Sequence, residues 1–357
     1  MANDSLQPKM KPSLRRLCPL FVSKQNIYIY QTICLLTSLA LIYCMYFSGC
    51  KETAIDLSNH YKRNVILQNP KPLQCYLFFS ILSGPKSILQ RKAMRETWLA
   101  PRYYNQKIAW KFIIGTKNLT YAAQQELQME QVENSDLLFL TDFVDSYEGL
   151  SAKLLRSMVW VNQNVDSKFV MKLDDDSFVR VDVLLKDLVK RQHLGRLYWG
   201  FFRGNANVKR VGPWAERDWY LSDNYLPYAL GGGYILSSDL VDYISSVSDL
   251  LQLYKSEDVS VGAWLAPVKL NRIHDIRFDT EYKSRGCHND DIVSHKQKAD
   301  DMYMKHDQLV HHNKLCREEE EVMLTFDYDW KVPPSKCCKR VQRSTIAKTQ
   351  NEQITGF

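Results

Sequence analysis

Cysteine is thin in this chain, with nine residues in 357. The fold therefore does not rest on a disulfide scaffold and has to bury an apolar core, for which the length is ample. No C-x-x-C pair occurs, which argues against structural zinc. Neither G-x-x-x-x-G-K-[ST] nor G-x-G-x-x-G is present, so the triplet Gly231-Gly232-Gly233 is not a phosphate loop. Internal repeats and low-complexity blocks are missing too. Basic charge is lacking where nucleic-acid binding would need it. Of the formal +7, residues 1–50 carry +4, from Lys9, Lys11, Arg15, Arg16 and Lys24 against Asp4 alone, which leaves +3 for the rest. No nucleic-acid partner is expected.

From Gln25 to Cys50 there is no charge at all. Ile27 to Phe47 is mostly Ile, Leu, Tyr, Ala and Cys, and at about 1.5 Å per residue it matches the roughly 30 Å hydrocarbon core. Bases precede it, whereas Lys51, Glu52 and Asp56 follow in mixed sign. The positive-inside rule then puts the N-terminus in the cytosol and everything after Phe47 across the membrane. The stretch is too long for a cleaved signal peptide and lacks a clear cleavage site. The expected organisation is a cytosolic tail at 1–26, a transmembrane signal anchor at 27–47, a stem at 48–73, a luminal domain at 74–340 and a disordered tail at 341–357.

An oxidising lumen makes Asn118-Leu119-Thr120 a usable N-glycosylation sequon. Cys287, Cys316, Cys337 and Cys338 cluster late and allow two bridges in three pairings. Adjacent Cys337 and Cys338 are expected to take separate partners rather than each other. Cys75 reads as a buried free thiol, and Cys50 at the membrane surface as a residue able to link two chains.

From Cys75 onward the pattern alternates strand and helix. Strands are predicted at Tyr76–Leu82, Ile108–Gly115, Asp136–Thr141 and Val170–Leu173, with helices at Ile88–Leu99 and Tyr121–Glu133 and a helix face at Leu150, Leu154, Met158 and Val161. This is an α/β domain, with a mostly parallel sheet covered by helices on both faces. Arg196–Arg203 and Trp214–Leu221 look strand-like, Gly231–Gly233 reads as a turn, and a helix is expected near Leu240–Leu251. Glu318–Glu321 is a solvated charge run.

Asp174-Asp175-Asp176 falls at the carboxyl end of the fourth strand, where open α/β sheets hold ligands. Crowded carboxylates repel unless they share a cation, and hard oxygen ligands favour Mg²⁺ or Mn²⁺ bridging to a phosphate. The alternative is a solvated turn whose last Asp caps the next helix. An EF-hand is excluded because Leu185 stands where a bidentate Glu would be needed.

KLDDDSFVRVD at 172–182 occurs with QRKAMRETWL at 90–99, YLPYALGGGYILS at 225–237 and EDVSVGAWLAP at 257–267. Together these resemble the inverting β-1,3-glycosyltransferases of glycosyltransferase family 31, over residues 74–340. The resemblance implies a GT-A-type, Rossmann-like sheet, type II Golgi membrane topology and a metal-dependent hexosyltransferase. RLYWGFFRG at 196–204, RFDTEYKSRGC at 277–287, IVSHKQ at 292–297 and YDWKVPPSKCCKR at 328–340 look like the branch of that family that builds the proteoglycan linkage region. That implies UDP-galactose as donor and galactosyl-xylosyl core proteins as acceptor, with homodimers or complexes with other linker transferases as candidate assemblies. The alternatives are another family-31 galactosyl- or N-acetylglucosaminyltransferase, or a Golgi glycan-binding scaffold without catalysis.

The family pattern implies Asp176 and His295 as ligands of Mn²⁺, with Mg²⁺ as the second candidate, and Asp174 and Asp175 nearer the uridine and ribose. It makes Asp258 the base that takes the acceptor proton, with Glu257 flanking it. A single base suffices for an inverting displacement. Both acids also suit the N-terminus of a helix. Gly231 and Gly232 are implied beside donor sugar and acceptor, Arg95 near the donor and Lys153 facing the diphosphate. Trp199, Trp214, Trp219 and Tyr220 are candidates for stacking on sugars.

Overall fold

The computed structural model describes residues 32–39, 73–100, 107–212 and 215–346. The chain divides into two compact units, Met1–Asn69 and Pro70–Phe357. In the first, residues 32–39 form a helix within the expected anchor. The rest of the anchor, the cytosolic tail and all of the stem except Leu73 lie outside the described residues. No described helix is long and apolar enough to cross a membrane.

The second unit alternates strand and helix, as expected. β1 (Leu73–Gln74) and β2 (Leu77–Leu82) lead to α1 (Ile88–Glu96), β3 (Ile108–Gly115), α2 (Tyr121–Asn134), β4 (Leu137–Leu140) and α3 (Leu150–Asn164). β5 (Val165–Asp166), β6 (Phe169–Asp174), β7 (Ser177–Val179), α4 (Val181–Arg191), β8 (Leu197–Arg203) and β9 (Tyr228–Ser237) follow. Beyond them come α5 (Ser238–Ser246), α6 (Glu257–Leu265), β10 (Asn271–His274), β11 (Phe278–Asp279), β12 (Gly286–Cys287), β13 (Val293–His295), α7 (Ala299–His312) and β14 (Glu320–Glu321).

A seven-stranded sheet runs β10-β8-β9-β6-β2-β3-β4. Every neighbouring pair is parallel except the two that β9 makes. Parallel strands are covered on both faces and so read as continuous apolar runs. All six residues of β2 are buried, and its one polar member, Ser80, shares a 2.5 Å hydrogen bond with Ser157 of α3. Phe78, Phe79, Phe112 and Phe169 are wholly buried, and each such side chain stabilises the fold by roughly 1.5–3 kcal/mol. Local signals set the helix ends. Thr120 accepts a hydrogen bond from the Ala123 amide at the start of α2, and left-handed Ser135 closes it. β11, β13 and β7 form a small sheet of their own, which carries His295 to the carboxyl end of β6.

Four expectations are corrected. Gly231–Gly233 is not a turn but the middle of β9, where glycine leaves room for its neighbours. A Cβ on Gly231 would lie 2.8 Å from Glu257 Oε1, one on Gly232 2.5 Å from His295 Cγ and one on Gly233 2.9 Å from Leu173 Cδ2. The described part of 214–221 forms no strand, because the Trp219 indole folds back to donate to the Ser222 carbonyl at 2.9 Å. Cys337 and Cys338 bond to each other and Cys287 to Cys316. Cys287 and Cys316 have Cα atoms 5.8 Å apart, a separation that suits a bridge and leaves the adjacent pair to itself. The contacts also outlast residue 340. Val341 bridges to Thr325, residues 343–346 form a helical turn, and Arg343 pairs with Asp290 and Asp291. Cys75 is a half-buried free thiol whose pKa burial pushes up to about 12. Cys50 and Trp214 lie outside the described residues.

Candidate active site and metal centre

β6 delivers Asp174 at its last residue, the chain reverses, and β7 begins at Ser177. Antiparallel pairing of β7 with β13 sets His295 opposite Ser177. Asp174, Asp176 and His295 thereby each bring a ligand atom within 4.8 Å of the others. His295 Nε2 lies 3.1 Å from Asp176 Oδ1 and 3.5 Å from Asp174 Oδ2. Beyond that ion pair, Asp176 Oδ1 is buried and accepts no hydrogen bond among the described residues, and His295 Nδ1 likewise has no partner among them. A buried carboxylate oxygen without a donor is costly unless a cation answers it. Two carboxylates and an imidazole form a donor set fit for a divalent metal. Burial pulls the His295 imidazole down, but Asp174 and Asp176 overcome it and lift its pKa to about 9. A metal would displace that proton.

Asp175 points elsewhere. It accepts from Ser83 Oγ at 2.7 Å and from the Gly84 amide at 3.4 Å, and burial raises its pKa above the ordinary carboxylate value. The loop it holds borders a cavity of about 820 Å³ lined by Ser87, Arg91, Leu119, Asp145, Ser146 and Leu150, among others. That volume is in the range of small-molecule sites.

Lys172, which sequence reasoning missed, joins the metal trio to the second pair of acids. Its side chain is 2 % exposed. Nζ donates to Asp174 Oδ1 at 2.8 Å, to the Gly231 carbonyl at 2.5 Å and to Glu257 Oε1. Burial opposes its charge, but Asp174 and Glu257 outweigh burial and raise its pKa. Burial likewise opposes ionisation of Asp174, and Lys172 and His295 outweigh it, holding that carboxyl well below its usual range. A lysine inside an otherwise apolar buried strand, two residues before three acids, was the available signal.

Glu257 and Asp258 open α6, as their helix-start chemistry suggests. Asp258 Oδ2 accepts from the Gly231 amide at 3.0 Å and Oδ1 from the Val259 amide at 2.8 Å. Glu257 Oε2 accepts from the Asp258 amide. Burial and then the neighbouring Glu257 charge raise the Asp258 pKa to about 8. A carboxylate so tuned is a strong proton acceptor once ionised, as pH rises toward 8.

Arg95 and Lys153, expected near the donor, each hold protein carboxylates. Arg95 turns away from the triplet, donating to Asp136 at 2.8 Å and Glu130 at 2.7 Å. Arg91 reaches Ser83 Oγ at 3.0 Å and the Gly84 carbonyl at 2.6 Å instead, braced by Glu130. The two lie four apart on α1, on one face, and the sequence does not say which reaches the loop. Lys153 is neither solvated nor free. It is buried, donating to Asp145 at 2.6 Å and the Ser83 carbonyl at 2.7 Å. Trp199 and Trp219 are core residues, whereas Tyr220 is 83 % exposed. Asn118 is exposed with φ 64°, and its sequon partner Thr120 caps α2.

A family model described as galactosyltransferase matches residues 89–276. Beta-1,3-galactosyltransferase 6 of Mus musculus is 48% identical over 271 residues, covering 75% of this chain and 83% of that protein. Beta-1,3-galactosyltransferase 5 of Gorilla gorilla gorilla is 31% identical over 258 residues, covering 68% of this chain and 84% of that protein. UDP-GalNAc:beta-1,3-N-acetylgalactosaminyltransferase 2 of Danio rerio is 36% identical over 180 residues, covering 50% and 35%.

Proposed function

The chain belongs to the galactosyltransferase family, glycosyltransferase family 31, and we propose that it transfers galactose from UDP-galactose in β-1,3 linkage to galactosyl-β-1,4-xylosyl-serine of proteoglycan core proteins. The product is the linkage region on which heparan and chondroitin sulfate are built. The resemblance to beta-1,3-galactosyltransferase 6 over most of both chains supports this acceptor and donor. The uncharged stretch 25–50 supports a single-pass type II Golgi membrane protein with its catalytic domain in the lumen.

The observation that carries the mechanism is Lys172, whose one ammonium ties Asp174 of the metal trio to Glu257 beside Asp258. Asp174, Asp176 and His295 would hold Mn²⁺ or Mg²⁺, and the orphaned Asp176 oxygen fits that role. The bound ion would supply charge for the diphosphate of the leaving UDP. The protein's own groups do the rest. Asp175 and Arg91 order the loop beside the 820 Å³ cavity, where the nucleoside end of the donor would lie. Asp258, fixed by the Gly231 and Val259 amides, takes the proton from the acceptor hydroxyl as that oxygen attacks the anomeric carbon from the face opposite UDP. One displacement inverts the anomeric centre and needs no covalent intermediate. Lys172 holds Glu257 in place, and Glu257 holds Asp258 at a pKa suited to a base.

The test is transfer from UDP-galactose to a synthetic galactosyl-xyloside, with the product linkage read by NMR. Transfer to N-acetylglucosamine acceptors only, or from UDP-N-acetylgalactosamine only, overturns the assignment.

A further inference from the structure

Beside the catalytic strands lies a cation that no group among the described residues answers. Arg203 ends β8 and stands opposite Tyr228 across the β8–β9 ladder. Its Nε is buried and has no hydrogen-bond partner among the described residues. Arg203 as a whole is half-buried, and the fully buried arginines are treated differently. Arg91 is held by Glu130, and Arg285 by Asp279 and Glu281. A buried donor left unpaired is destabilising, so fold stability does not account for the position of the Arg203 Nε.

Its surroundings point to a ligand. Tyr228 lies three residues before Gly231, whose amide holds Asp258. Burial raises the Tyr228 phenol, with the charge of Asp258 raising it further and that of Arg203 opposing. Tyr228 therefore feels the charge of both the base and the unanswered cation, and it pairs with Arg203 across the ladder. On the same end of β8, Phe202 is met edge-on by Trp330, ring centroids 5.3 Å apart. Trp330 is stacked on Tyr328 at 3.9 Å and remains 44 % exposed. Tyr328 itself is locked against Gly204, where a Cβ would fall 2.2 Å from its hydroxyl oxygen. A backed aromatic with one open face, packed on the strand neighbour of Arg203, and a planar donor fork are together chemistry suited to a sugar. The ring covers the apolar face and the fork takes hydroxyls.

We infer that Arg203, Tyr228 and Trp330 form the acceptor-sugar subsite, Arg203 and Tyr228 binding hydroxyls of the accepting galactose and Trp330 covering the sugar that follows it. The subsite rests on the transferase reading above and gives that reading its acceptor contacts. Asp258 removes the proton, and Arg203 fixes which hydroxyl is presented to it.

Steady-state kinetics of the detergent-solubilised full-length protein test this, with UDP-galactose and galactosyl-xyloside varied separately. Arg203→Met is expected to raise the acceptor KM about tenfold or more, the loss of a hydrogen bond to a charged group. The KM for UDP-galactose should stay within about twofold. Arg203→Lys should fall between, since it keeps the charge and loses the fork. Tyr228→Phe deletes one oxygen, and Trp330→Ala truncates an exposed ring. Each should raise the acceptor KM several-fold, and both keep the test open if Arg203→Met does not fold. An unchanged acceptor KM in Arg203→Met, or in both Tyr228→Phe and Trp330→Ala, overturns the subsite, as do equal rises in both KM values. A wild-type protein that transfers to no galactosyl-xyloside fails the functional reading itself, and the subsite falls with it.

Discussion

Replacing Glu257 with Gln should move the acid limb of the pH–rate profile to lower pH. Burial and the Glu257 charge hold the Asp258 pKa at about 8, so wild-type transfer should climb as pH rises toward that value. Two carboxylate charges on neighbouring side chains repel by on the order of a few kcal/mol at an effective dielectric constant near 20, or roughly one to two pH units. Glutamine removes that repulsion and keeps an oxygen for the Asp258 amide. Lys172 then loses one of its two carboxylates, and its less-compensated charge lowers Asp258 in the same direction. The limb should move down by about one to two units, and the plateau rate should drop because a weaker base accepts the proton less readily. A second readout has a defined sign. The Asp258 pKa is raised in the fold above the ordinary 3.8 of an aspartate, so wild-type stability should be lost as pH climbs from about 4 through about 8. Glu257→Gln should flatten that decline. The assays are kcat/KM from pH 5 to 9 at saturating Mn²⁺ and thermal melts over the same range. An acid limb that stays put, or moves to higher pH, refutes the coupling between these two acids.

Much of this arrangement was legible in the sequence, and the failures share a cause. Strand β3 occupies Ile108–Gly115, as its apolar run predicts, because a buried parallel strand is a property of local composition. The acid triplet at the end of β6 was equally readable, since topology alone puts that position among the ligand-binding ends of the sheet. Lys172, Arg91 and the glycine triplet were not, because each owes its role to a group distant in sequence. Lys172 takes its meaning from Glu257, 85 residues on. Arg91 takes its meaning from Glu130, 39 residues on. Gly231–Gly233 looks like a turn until Glu257 and His295 are packed against it, when the missing side chains become the space those groups occupy. The vicinal Cys337–Cys338 bridge belongs with them, for its pairing follows from where Cys287 and Cys316 meet.

Two further outcomes bear on the metal centre. Chelation with EDTA should abolish transfer and Mn²⁺ restore it, and Asp176→Asn should cut activity at limiting Mn²⁺ by about 100-fold. Full activity in chelator, or an unaffected Asp176→Asn, removes the metal from the mechanism. Gly232→Ala tests the centre without replacing a ligand. The new Cβ would sit 2.5 Å from His295 Cγ and 2.8 Å from Nδ1, and neither side has slack. Ser177 Oγ donates to the Gly232 carbonyl at 2.6 Å, β9 is laddered to β6, and His295 is paired opposite Ser177. The imidazole must therefore tilt away from Asp176. The overpacking should cost about 1–3 kcal/mol of stability, and the misoriented ligand should raise the Mn²⁺ concentration for half activity by about 10–100-fold. Gly233→Ala is the control, since its Cβ meets the flexible end of Leu173 at 2.9 Å and no metal ligand. It should lower the melting temperature and leave the Mn²⁺ dependence where it was. Mn²⁺-induced thermal stabilisation gives the same comparison without turnover, because an ion that binds only the folded state raises its stability. If both alanines shift the Mn²⁺ dependence equally, His295 is not a ligand, and the glycine at 232 serves only the packing of the sheet.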